Sequence, residues 1–227
     1  MKTHPSRLTR LLLLQSAAAC CLVLLRALFA GSDNWGQVGV AQFTSLHVPP
    51  YAYLPWNLLL AWAPYALSWL LRPGPGFGPA NWAVLMLWLL FFPNAPYIIT
   101  DFIHLRPRPP IPLWYDALML FNFAWAGLLL GFFSLLEVQR HIERQWGRKS
   151  AQTVVAAIII LGSFGVYMGR FLRWNSWDAL LRPIAVMKSL SAVAEAPMPA
   201  LGPIALFTVF LGIGYATFFH LSRKEVS

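Results

Sequence analysis

Six apolar stretches, set apart by short basic or proline-rich segments, leave this chain few ways to fold; they cover residues 8–30, 55–71, 79–100, 113–138, 151–171 and 199–220. A helix needs about 20 apolar residues to cross about 30 Å of hydrocarbon, and each stretch approaches or exceeds that length. Lipid holds no water to satisfy backbone N–H and C=O groups, so stretches of this kind become helices. Charge is scarce enough to require such a solvent. Only 11% of the residues are Asp, Glu, Lys or Arg, where a soluble domain carries about 25%. The expectation is an all-α, polytopic transmembrane helical bundle of about six spans, with residues 1–227 as a single transmembrane domain.

The net charge of +9 does not point to nucleic acid. The basic residues sit between the apolar runs instead of along one face, as in loops that orient membrane spans. With the N-terminus inside, the cytoplasmic segments hold Lys2, Arg7, Arg10, Arg72, Arg140, Arg144, Arg148, Lys149, Arg223 and Lys224, ten of the 17 basic residues. That bias sets both termini in the cytoplasm (N-in/C-in). The first run follows Lys2, Arg7 and Arg10 as a signal peptide would. It is longer than an ordinary signal core, and Leu28 stands where cleavage at Ala30 would want a small residue, so it is expected to remain as a span. Arg26, near the outer end of that run, is expected to snorkel to the interface. The adjacent Cys20 and Cys21 read as small apolar residues, since neighbouring cysteines fit disulfide geometry poorly.

Several runs are broken. Pro64 interrupts the second, and Arg72-Pro73-Gly74-Pro75-Gly76 makes a tight connection. Pro93-Asn94-Ala95-Pro96 must break or kink the third, because each proline removes a backbone donor. The freed carbonyls need protein partners in lipid, which predicts broken helix ends packed against protein. Residues 172–198, before the last run, contain a candidate interfacial helix.

Three polar and aromatic strings interrupt this oily pattern, and all three fall at the outer ends of spans: YLPWNLLLAW from Tyr53, PNAPYIITDFIHL from Pro93, and GRFLRWNSWD from Gly169. Through these strings, over roughly residues 50–180, the chain resembles the Domain of Unknown Function 1361 family of bacterial integral membrane proteins. The resemblance implies a multi-pass protein of the bacterial plasma (inner) membrane, and implies no activity, cofactor or catalytic residue.

The residues themselves suggest chemistry. Asp101 and His104 are spaced i,i+3, so a helix would set them on one face. With Asp178 they are the candidates for proton transfer, Asp101 orienting His104 as a base. They are alternatively metal ligands short of a full set, and a structural interfacial pair is the plainest reading. No metal site is assigned and the cofactor is left unknown. Arg170 and Arg173 are also i,i+3, and their planar forks suit phosphate or carboxylate. Pairing with Asp178, Asp101 or Asp116 is the structural alternative. Asn57, Asn94, Asn175 and Asp116 are read as structural polar groups that cap broken helices or cross-link spans. Trp56, Trp114, Trp174 and Trp177 fit an outer aromatic belt. No P-loop, dinucleotide fingerprint or H-E-x-x-H pattern is present.

Three functions fit this pattern. The first is an outer-face polar pocket that binds or processes an anionic or lipid-linked substrate. The second is a membrane assembly or scaffold protein without turnover. The third is a small-solute transporter, which broken helices would serve. Membrane lipids are the expected partners, a protein partner in the membrane is compatible with the second, and nucleic acid is excluded. Cysteines introduced near residues 104 and 175, after replacement of Cys20 and Cys21, are therefore expected to react with an impermeant reagent from the same, outer side of the bilayer. Labelling from opposite sides would break the proposed topology.

Overall fold

The structure is a computed structural model that describes residues 5–30, 50–72 and 77–224. All regular structure among them is helical: α1 (Pro5–Phe29), α2 (Leu54–Ser68), α3 (Pro79–Phe91), the single turn α4 (Asn94–Tyr97), a 3₁₀ helix (Ile98–His104), α5 (Leu113–Phe171), the single turn α6 (Asp178–Leu181), α7 (Pro183–Glu195) and α8 (Met198–Lys224). Residues 31–49, between the first two runs, and most of the tight connection after Arg72 lie outside the described residues.

Among the described residues, four helical segments are long and apolar enough to cross a membrane: Arg7–Phe29, Pro79–His104, Leu113–Phe171 and Met198–Ser222. The fourth and fifth apolar runs both fall within α5, which is interrupted at Gly147 (φ 78, ψ 170). That left-handed backbone suits a residue without a Cβ, so α5 consists of two arms separated inside the charged segment 139–150. The second run forms the 15-residue α2, about 22 Å long at 1.5 Å per residue. The third run ends as expected, with α3 giving way to α4 and then to the 3₁₀ helix around Pro93 and Pro96.

The chain divides into two compact units, one made of residues 1–60 and 98–129, the other of 61–97 and 130–227. In the first unit, α1 buries Leu12, Ser16, Ala19, Val23 and Arg26. These recur every three or four residues, as in a two-helix seam, while Leu11, Leu13, Leu14 and Leu24 are exposed and suit lipid. Polar rungs tie this seam to the first arm of α5. Gln15 Nε2 donates to Asn122 Oδ1 at 2.7 Å, and Tyr115 Oη donates to the Leu22 carbonyl at 2.8 Å.

In the second unit, the broken end of the third run lies on glycines of α5. A Cβ on Gly162 would stand 2.7 Å from the Phe92 ring, one on Gly165 would overlap the Pro93 ring, and one on Gly169 would come within 3.1 Å of Tyr97. The spacing of these glycines puts them on one helix face, and their missing side chains let residues 92–97 approach. Asn81 in α3 donates to the Arg72 carbonyl and accepts from the Arg72 N–H, both at 3.0 Å. Tyr215 of α8 donates to Gln139 Oε1 at 2.6 Å, so a polar link fixes α8 within the unit. Gly165→Ala is expected to lose about 1–3 kcal/mol through overpacking, read as a lower Tm of the purified protein. Gly212→Ala, which meets nothing within 4 Å, should hold or raise it. Equal Tm for both variants would remove the glycine face as the packing determinant.

Candidate functional site

The first unit gathers a polar and aromatic cluster. Its base is a buried ion pair. Arg26 Nε lies 2.6 Å from Asp116 Oδ1 and Nη2 lies 3.0 Å from Oδ2, a bidentate fork with Arg26 at 2% and Asp116 at 0% exposure. Arg26 therefore does not snorkel: it occupies the same stripe as Val23 and Ala19, which turns it inward. Planar guanidinium and carboxylate groups form two parallel charge-assisted bonds here, which offsets the desolvation of both ions.

Tyr51 lies over this pair. The Arg26 and Arg108 guanidinium carbons are 5.0 and 4.9 Å from its ring centroid, within cation–π range. Tyr51 is 2% exposed and adopts φ 69, a left-handed conformation that costs a residue with a side chain about 1–3 kcal/mol. Burial pushes its phenol above the usual tyrosine range; Asp116 adds to this, while Arg108 and Arg26 oppose it. The hydroxyl stays a donor, to the His104 carbonyl at 3.0 Å. Arg108 is half-buried, and among the described residues it makes no ion pair.

Asp101 and His104 belong to the 3₁₀ helix, where residues three apart eclipse each other more closely than on an α-helix. Asp101 is 1% exposed, and its Oδ2 accepts from Asn57 Nδ2 at 3.0 Å. The His104 ring meets Tyr53 edge-on, with centroids 5.7 Å apart. The sequence paired Asp101 with His104 and gave Asn57 a structural role, and the fold sets all three in the unit that holds Arg26, Tyr51, Arg108 and Asp116.

The remaining candidates belong to the second unit. Arg170 lies over the Tyr97 ring at 4.5 Å. Arg173 is exposed, at φ 58, and the next residue's N–H bonds the Met168 carbonyl at 3.1 Å, a left-handed ending for α5. Asn94 donates to the Phe91 carbonyl at 2.9 Å and to Ser176 Oγ at 2.8 Å, so it satisfies an acceptor freed by the helix break. The buried Asp178 accepts from the Asn175 N–H at 2.8 Å and from Asn175 Nδ2 at 3.3 Å. Among the described residues, no three His, Cys, Asp or Glu side chains gather as metal ligands.

Sequence reasoning missed the Arg26–Asp116 pair, Tyr51 and Arg108. The buried stripe in α1 holds a signal for the first, because Arg26 continues the spacing of Leu12, Ala19 and Val23. Nothing local marks Tyr51 or Arg108, which come from the two separate stretches of sequence that make the unit.

A family model described as a protein of unknown function (DUF1361) matches residues 56–213. No curated protein and no solved structure matches the chain. The matched span contains Asp101, His104, Arg108, Asp116, Arg170, Arg173 and Asp178, and leaves out Arg26 and Tyr51. Asp116→Ala would strand Arg26 as a buried unpaired cation, and a loss of about 3–5 kcal/mol is expected. The double change Arg26→Met with Asp116→Leu should recover most of it. If both versions unfold at the same temperature in detergent, the pair does not hold α1 in place.

Proposed function

The chain belongs to the DUF1361 family, whose description carries no activity, and from that premise we propose that it is a multi-pass protein of the bacterial plasma membrane that binds an anionic, lipid-linked ligand at the polar cluster of its first unit. The topology is six crossings, N-in/C-in, with the cluster at the outer face. One observation carries the reading: Arg108 is a half-buried cation that rests on Tyr51 and has no ion pair among the described residues. Its neighbour Arg26 is already neutralised by Asp116. A phosphate or carboxylate beside Arg108 would complete the charge balance in a place where water is scarce.

Asp101 and His104 are the groups for proton transfer to or from that ligand. The carboxylate is held by Asn57, and the imidazole follows it by three residues on the eclipsed face of the 3₁₀ helix. In the second unit, Arg170 and Arg173 are assigned to anion contacts and Asp178 to proton work. The exposed guanidinium of Arg173 on a left-handed backbone fits this role, since strain of this kind collects at functional sites.

A scaffold without turnover is the second reading. It is favoured by the mutual satisfaction of buried and half-buried groups, as in Arg26–Asp116, Asn57–Asp101 and Asn94–Ser176. Thermal shifts with dihexanoyl phosphatidic acid separate the two. The ligand reading expects the acid to raise the Tm of the unsubstituted protein, and Arg108→Gln to reduce the rise while leaving the ligand-free Tm unchanged. No shift in the unsubstituted protein, or equal shifts with and without Arg108→Gln, would favour the scaffold.

A further inference from the structure

The segment between α5 and α8 presents a surface that the cluster of the first unit does not use. Both flanking helices are able to cross a membrane, so the residues between them are tied to the bilayer at each end. No residue of α7 is buried. Val186, Ser189, Leu190 and Val193 form a partly covered stripe, while Ile184, Met187, Lys188 and Ser191 are exposed. Leu180, Leu181, Ile184 and Met187 are exposed at 67, 74, 73 and 69%. Four large apolar side chains so close together are not left to water without a reason.

Cations stand among them. Arg182 occupies the break between α6 and α7, with φ −136 and ψ 49, and Pro183 opens α7. Leu181, Arg182, Pro183, Ile184, Ala185 and Lys188 consequently line one groove. Arg182 and Lys188 are exposed, and among the described residues neither makes an ion pair. Of the nearby acids, Asp178 is buried and bonded to Asn175, and Glu195 lies at the far end of α7. The near end of the segment is thus basic and apolar at once, and Trp174 and Trp177, a residue type that collects at membrane–water interfaces, precede it.

We infer that α6 and α7 form an interfacial element that docks on the bilayer surface and binds anionic phospholipid headgroups through Arg182 and Lys188. Leu180, Leu181, Ile184 and Met187 insert among the upper acyl chains. The combination of exposed apolar side chains with unpaired cations matches an anionic lipid surface. The attachment of both ends to membrane-crossing helices makes the protein's own bilayer the occupant. The inference uses none of the residues assigned to ligand binding above.

The test uses the full chain with Cys20 and Cys21 replaced by Ala, in nanodiscs of phosphatidylcholine with and without phosphatidylglycerol. Nitroxides placed through Ile184→Cys and Met187→Cys should be accessible to oxygen and shielded from a water-soluble nickel chelate. Phosphatidylglycerol retained on the purified protein, counted by mass spectrometry, should fall about fivefold for each of Arg182→Gln and Lys188→Gln, with Tm unchanged. Free access of the chelate to both labels would overturn the inference. Undiminished phosphatidylglycerol in the double variant would also overturn it, as would shielding that arises only when two copies share a disc, which would make the face a contact between chains.

Discussion

A polar group that enters hydrocarbon must bring its partner with it, because lipid offers neither a donor nor an acceptor. In the first unit this requirement falls on Arg26 and Asp116, whose positions differ by 90 residues in sequence and whose side chains make two bonds in space. Once the two ions are buried, the rotation of α1 about its own axis is fixed. A one-residue slip would turn Arg26 by about 100° toward lipid and leave Asp116 stranded. The Gln15–Asn122 and Tyr115–Leu22 bonds lie further along the same seam, so a single register satisfies all three contacts. The pair also supports Tyr51, since one of the cations on that ring is Arg26 itself.

The same requirement shapes the second unit, where it is met by backbone and amide groups. Pro93 and Pro96 cannot donate, so the helix they interrupt leaves carbonyls without partners. Asn94, between them, donates to the Phe91 carbonyl. The break is tolerable in lipid only if protein covers it, and the glycines of α5 make that approach close enough. The break and the glycine face explain each other: bulky side chains at 162, 165 and 169 would hold the broken end away from the helix that shields it.

Strain marks two places. Tyr51 and Arg173 hold left-handed backbone without being glycine. Tyr51 sits just ahead of α2 with two guanidinium groups on its ring, and Arg173 is exposed at the end of α5. Packing alone would be served at lower cost by glycine at Arg173, because its side chain is exposed and buries little.

Much of the architecture follows from sequence alone, for a physical reason. Apolar runs of membrane length have one low-energy form in lipid, so α1, α3, both arms of α5 and α8 are legible as helices, and the proline pair announces the break between α3 and the 3₁₀ helix. A helix, α7, does occupy the segment before the last span, and none of its residues is buried. Pairing between distant charges is not legible in the same way. Helical spacing says which residues share a face, but not what the face meets. Arg26 reads as a snorkelling residue until the fold supplies Asp116, and Arg108 and Tyr51 carry no local mark at all. Local hydrophobicity determines which segments become helices; only tertiary packing decides which buried charges neutralise each other, and so which cation is left without an ion pair among the described residues.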